Sequence, residues 1–283
     1  MLGRQRHRRT LLGVKVLQQL SIWRTLLCNC RKHSLIVESA PMTPHALPHR
    51  AWTWLLAALL PVSPLAHSQS VCSSDDQATP KVLFERFLNA DCEACWRDVA
   101  TPVAPPGALA LDWIVPGSQG GDAALAGAAS GDALMRLGAL RRGRPDALHS
   151  EKIKVHGWPG ASLRVANGPA LGGYVGASIA LSLPANQAAN APLQAWLVLV
   201  ETLPAGFEGS PVPRNLVRNV FQPSWNMRDA LLISERLSFK EIRPLNIPEG
   251  AKPERLRVVG WVQDAAGRVR IAAESFCSPA EPH

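Results

Sequence analysis

Val82-Leu-Phe-Glu-Arg-Phe-Leu-Asn-Ala-Asp-Cys92-Glu-Ala-Cys95-Trp96 is the stretch whose reading decides the fold. Val82 to Leu88 is a β-type run, Asn89 to Asp91 a polar turn, and Cys92 and Cys95 follow with two residues between them. A cysteine at the start of a helix faces unpaired backbone N–H groups and the positive end of the helix dipole. Both stabilise a thiolate, which makes Cys92 the candidate attacking sulfur and Cys95, one turn on, the resolving partner. Glu93 opposes this, because a carboxylate beside the sulfurs disfavours thiolate formation, and neither lysine nor histidine is adjacent. A permanently oxidised structural disulfide is therefore the competing reading of the same pair.

The first 68 residues belong to a different problem. Residues 51–66 are apolar and follow His45, His49 and Arg50, and Ala66-His67-Ser68 places small residues where a signal peptidase reads. The run is short and broken by proline, which suits a cleaved signal over residues 42–68 better than a membrane span. Met42 just upstream makes residues 1–41 a mis-called start or a basic extension. Gln69-Ser70-Val71 lacks the pattern expected before a lipidated Cys72. The leader also carries the charge: the chain has formal charge +8, but residues 69–283 hold 21 cations and 21 acids. The mature part is formally neutral, which removes the electrostatic case for a nucleic-acid partner. Its one dense basic cluster, Arg141-Arg142-Gly143-Arg144, reads as a solvated helix end.

Four cysteines remain after the leader, and four permit three pairings. If Cys92 and Cys95 pair locally, Cys72 and Cys277 are left at the two ends of the folded region. They are either a terminal disulfide, favoured by an oxidising compartment, or two unrelated thiols. Further along, Ala108–Val115 reads as a buried strand. Residues 122–148 read as helical, with Asp122 as N-cap and a break at Gly131-Asp132. Prolines 102, 105 and 106 keep the helix after Cys92 short. Ala161–Ala166 and the piece through Val175 read as a hairpin turning at Asn167-Gly168. Ser178–Leu183, Leu193–Thr202, Arg214–Phe221, Phe239–Ile242, Arg255–Gln263 and Arg268–Ser275 are strand-like. Of these, Leu193–Val200 is apolar enough for a central strand.

The layout resembles a family of exported bacterial thioredoxin-like proteins of unassigned function, over most of residues 80–275. The resemblance rests on the Cys92/Cys95 corner, Val165-Ala-Asn-Gly168 after Pro159, Glu208-Gly-Ser-Pro-Val-Pro-Arg-Asn-Leu-Val-Arg218, and Leu256-Arg-Val-Val-Gly-Trp-Val-Gln263. It implies an α/β fold, with a thioredoxin-like domain over residues 78–176 followed by a β-rich, sandwich-like region over 177–277. It also implies that Trp158-Pro159 replaces the family's usual Thr-Pro. Pro159 would then be a cis residue packed beside the cysteine pair, with Trp96 and Trp158 flooring a peptide groove.

The function expected on this basis is periplasmic or secreted thiol–disulfide exchange. Cys92 and Cys95 would be catalytic, and the partners would be protein or peptide thiols and disulfides together with a membrane redox protein. The alternative is a non-catalytic secreted binding or scaffold module in which Cys92–Cys95 is structural. His149 or His156 could join the cysteines around a metal, but ligand supply is thin, and no metal or cofactor is expected. No Gly-x-Ser-x-Gly elbow or Gly-Lys-Ser/Thr phosphate loop is present.

Overall fold

A computed structural model describes residues 72–187 and 192–277; the expected leader and signal, residues 1–68, lie outside the described residues. The strands in chain order are β1 (Cys72–Ser73), β2 (Val82–Asn89), β3 (Ala108–Val115), β4 (Leu148–Lys154), β5 (Ser162–Leu171), β6 (Tyr174–Pro184) and β7 (Leu193–Leu203). They continue with β8 (Arg214–Phe221), β9 (Ser224–Trp225), β10 (Leu231–Ile233), β11 (Arg236–Asn246), β12 (Leu256–Gln263), β13 (Val269–Glu274) and β14 (Phe276–Cys277). Two α-helices are present among the described residues, α1 (Glu93–Arg97) and α2 (Gly131–Ala139).

The strands form two sheets. One runs β10-β11-β6-β5-β1-β14; the other runs β13-β12-β7-β8-β3-β2-β4, with β9 paired to β7. Pairing is antiparallel except where β2 runs parallel to β3 and β3 to β8. The second sheet is buried on both faces, and the alternation along β7 shows why. Leu193, Ala195, Leu197 and Leu199 pack against Val165, Ile179, Leu181 and Phe239 of the first sheet, closing a β-sandwich. Trp196, Val198 and Val200 point the other way, into a core with Phe87, Trp113 and Trp261 that Ala133 and Leu137 of α2 cover. Period two with apolar residues on both faces is what a doubly covered strand requires.

On the sandwich side, the first sheet covers only part of the second. Beyond it, Leu88, Ile114, Leu203 and Leu216 are covered instead by Cys95 and Trp96 of α1 and by Ala123, Leu125 and the short 3-10 turn Ala126–Ala128.

This architecture corrects the α/β thioredoxin-like expectation: the protein is a β-rich two-sheet fold. The strand–turn–helix corner is present, and β2 and β3 are joined in parallel across it. The hairpin after Pro159 cannot extend that sheet beside β2, because β4 already occupies that edge; β5 and β6 pair in the other sheet. Nor is there a boundary at residue 176, since β6 runs through it and both sheets draw strands from each side. The stretch 122–148 supplies one nine-residue helix, α2, whose N-cap position is Ser130 rather than Asp122; the residues before it form only the short 3-10 turn Ala126–Ala128. Among the described residues no peptide bond is cis, so Pro159 is trans.

Asn167-Gly168 is not a turn. Pro169 has no N–H to donate, so the β5–β6 ladder skips residues 168–169 as a bulge and resumes at Ala170↔Val175. The chain reverses at Gly172-Gly173, both with positive φ, as a two-residue hairpin demands. The other strand expectations hold, two of them to the residue, Ala108–Val115 and Arg214–Phe221.

Cys72 and Cys277 are direct cross-strand partners of β1 and β14 and are disulfide-bonded across 205 residues of chain. Gly260 in β12 marks the closest approach of the sheets. A Cβ there would lie 2.8 Å from Val165 Cγ1, 2.9 Å from Ile179 Cδ1 and 3.0 Å from the Trp196 carbonyl oxygen. Gly260→Ala should therefore lower stability by about 1–3 kcal/mol through overpacking, read as a lower urea midpoint with unchanged m-value.

Candidate functional site

Cys92 and Cys95 are joined as a disulfide with Cα atoms 5.4 Å apart. Cys92 is the N-cap of α1, with non-helical φ/ψ and no side-chain cap; its N–H donates to the Asn89 carbonyl and its carbonyl accepts from Cys95 N–H. The helix ends after five residues, at Asp98, whose extended backbone leads into the proline-rich link. Five residues make a weak dipole, and the ion pair on the helix, Glu93 with Arg97 at 3.0 Å, is exposed. Cys92 is half-buried, whereas Cys95 is buried among Leu88, Ile114, Leu203 and Leu216.

The preceding residue fixes the corner to the neighbouring loop. The Asp91 carboxylate accepts from Ser118 N–H at 2.6 Å, Ser118 Oγ at 2.7 Å and Gln119 N–H at 3.2 Å. These bonds, the one from the Ser118 side chain foremost, hold its pKa below the ordinary 3.8. A lowered folded-state pKa means the contribution is complete above the unfolded value and is lost as pH falls through the folded one. Asp91→Asn should therefore flatten the loss of stability below about pH 4, measured by thermal unfolding across a pH series.

Trp96 faces a buried charge cluster. Arg86 and Asp112 pair through two bonds, at 2.7 Å and 2.8 Å, and both are sealed from solvent. Arg214, also sealed, reaches the same carboxylate at 3.2 Å, the Trp96 carbonyl at 3.0 Å and Ser210 Oγ at 2.8 Å. Its guanidinium lies 4.9 Å from the Trp96 ring centroid. Burial pushes the Arg214 pKa below its ordinary value, against the opposing pull of Asp112. Two cations against one anion leave a surplus positive charge, spread over backbone carbonyls of Trp96, Pro102 and Pro213.

The cover of the sheet stops short here, and the gap is a cleft of about 370 Å³. Trp96, Leu125, Phe207, Leu203 and Leu216 make its apolar wall, and the Trp96 indole N–H donates to the Phe207 carbonyl at 3.4 Å. Glu201 on β7 and Arg218 on β8 line it as an ion pair, with side chains 2 % and 11 % exposed. Arg218 Nε and Nη2 both donate to Glu201 Oε2, at 2.8 Å and 2.5 Å, while Lys252 N–H donates to Oε1 at 3.0 Å. Glu208, Glu249 and the Lys252 side chain complete the rim.

Of the residues singled out in the sequence, Cys92, Cys95 and Trp96 come together. Trp158 does not join them: it packs against the sandwich core under Arg270, 5.0 Å from its ring centroid. Pro159 is exposed, its carbonyl accepting from Gln187 at 2.9 Å. The peptide groove expected from Trp96, Trp158 and Pro159 is thus not assembled, because the latter two lie in the loop between β4 and β5, where Trp158 packs on the sandwich core rather than on the layer that holds Cys95 and Trp96. His149 is held by Glu151 at 2.8 Å on edge strand β4. Among the described residues no three His, Cys, Asp or Glu side chains gather as a metal site. Sequence reading missed Glu201 and Arg218; the available signal was a lone acid ending an otherwise apolar strand.

Asp112→Asn would leave Arg86 and Arg214 facing each other without a counter-charge, and should cost about 3–5 kcal/mol in chemical denaturation. Compared with known proteins, the chain matches no family model, no curated protein and no solved structure.

Proposed function

We propose that this chain is an exported, non-catalytic binding module whose Cys92–Cys95 disulfide braces the wall of a ligand cleft. One observation carries the reading: Cys95 is built into the apolar layer behind the cleft, and the next residue, Trp96, is the cleft wall. A five-residue helix without a side-chain cap has little stability of its own, so the disulfide substitutes for the missing turns and holds Trp96 in place. Export is supported by two disulfides, which persist in oxidising compartments, and by the signal-like pattern in residues 42–68. No described helix is long and apolar enough to cross a membrane.

Against thiol–disulfide exchange, the trans Pro159 lies in the loop between β4 and β5 and offers no peptide-pairing edge beside the sulfurs. A structural disulfide should have a reduction potential below about −300 mV in glutathione or dithiothreitol buffers. The protein should also leave the rate of insulin reduction by dithiothreitol unchanged. A potential near −200 mV, together with turnover that Cys92→Ser abolishes, would falsify the binding-module reading and restore the enzymatic one.

A further inference from the structure

The cleft has a chemical signature that narrows its occupant. An ion pair as deeply placed as Glu201–Arg218 adds little to stability, because desolvation of both charges offsets their attraction. Apolar residues of similar size would serve the fold as well. The pair is also incompletely used: both Arg218 donors in the pair converge on the single oxygen Oε2, and among the described residues nothing accepts from Nη1. A guanidinium with a free N–H edge in a cleft is a receptor for a carboxylate, which its planar fork matches. Lys252, exposed and without an ion-pair partner among the described residues, brings a second cationic residue to the same lining.

The lining also holds acids. Glu208 and Glu249 border the cleft without ion-pair partners among the described residues. Glu208 is held in a left-handed backbone conformation at φ +48°, next to Phe207 of the wall. With Glu201 bound to Arg218, the free charges are two carboxylates, one ammonium and one guanidinium edge. A purely anionic or purely cationic ligand would leave one set facing a like charge, whereas a ligand carrying both signs satisfies both. The same lining holds Trp96, Phe207, Leu125, Leu203, Ile114 and Leu216, an apolar wall suited to an aromatic or branched aliphatic body. The volume, about 370 Å³, is that of a pocket for a small molecule.

From this we infer that the cleft binds a small zwitterion with an apolar body, namely an apolar α-amino acid or a short peptide of such residues. Its carboxylate lies on Arg218 and Lys252, its ammonium on Glu208 and Glu249, and its side chain against Trp96 and Phe207. The assignment rests on the binding-module reading and names the ligand class for the same cleft.

The test is calorimetric titration of the full-length, oxidised protein with L-phenylalanine and with phenylalanyl-leucine. The control ligands are L-phenylalaninamide, which lacks the carboxylate, and N-acetyl-L-phenylalanine, which lacks the ammonium. Each control should bind at least tenfold more weakly than the zwitterion. Arg218→Gln should weaken the zwitterion at least tenfold and leave the amide little changed. Because that variant strands Glu201, Lys252→Gln and the pair Glu208→Gln with Glu249→Gln supply exposed alternatives that leave the core intact. Lys252→Gln should narrow the gap between zwitterion and amide, and the double Glu variant the gap between zwitterion and N-acetyl form. Equal binding of the zwitterion and both blocked forms overturns the assignment, as does the absence of binding by either zwitterion. Binding of phenethylamine or 3-phenylpropionate alone would overturn the zwitterion while leaving a binding module; insulin turnover would remove that reading as well.

Discussion

Strand β2 carries Glu85 and Arg86 side by side in its middle, and both are fully buried. Because neighbouring side chains on a strand point to opposite faces, the two charges enter different cores, and each must find its counter-charge there. Glu85 is met by Arg136 of α2 at 2.7 Å and by the Trp113 indole N–H at 3.0 Å. Arg136 in turn lies 4.9 Å and 5.0 Å from the ring centroids of Trp196 and Trp261. Arg86 is met by Asp112, which also holds Arg214. Breaking either set strands a charge out of reach of water, a penalty of several kcal/mol. A β2 shifted by one residue would exchange the two charges between the cores and lose both sets of partners. Register, the position of α2 and the position of Trp96 are thereby tied to two adjacent residues.

Much of the strand layout was legible because its signal is local. The apolar run Leu193–Val200, the breadth of the Ala108–Val115 run and the Asp264–Gly267 turn lie within a few residues of the elements they define. Sheet membership is not local. The parallel β2–β3 pair around a Cys-x-x-Cys turn is compatible with a thioredoxin sheet, and what excludes that sheet is β4 on the outer edge of β2. Leu148–Lys154 alternates weakly, with charged residues at Glu151, Lys152 and Lys154, as an edge strand does, so only Leu148 fell within the expected helical stretch and residues 149–154 gave no strand signal. Asn167-Gly168 misled for a simpler reason: the proline after it forbids the pairing that the dipeptide alone suggests.

The candidate site was half legible. A pair of cysteines two residues apart announces itself in any sequence, and Trp96 comes with it. The cleft beside them is made by residues from β3, β7, β8 and three loops, more than a hundred residues away in part, and no spacing rule brings Glu201 to Arg218. The charges of β2 offered a better clue than was used. An acid and a base inside an otherwise apolar run imply partners elsewhere in the chain, and the partner of Arg86, Asp112, also holds Arg214, which stacks on the residue that shapes the cleft.

The bond between Cys72 and Cys277 has a mechanical meaning. It joins the first and last described strands across one rung of the ladder, with Cα atoms 4.0 Å apart. Tension on chain entering at one end and leaving at the other would run through this single covalent link and bypass the hydrogen-bonded strands between. The body of the protein would hang from the load path as a closed loop, carrying almost none of the force while the bond is intact. Reduction of that link would send the same pull through both sheets.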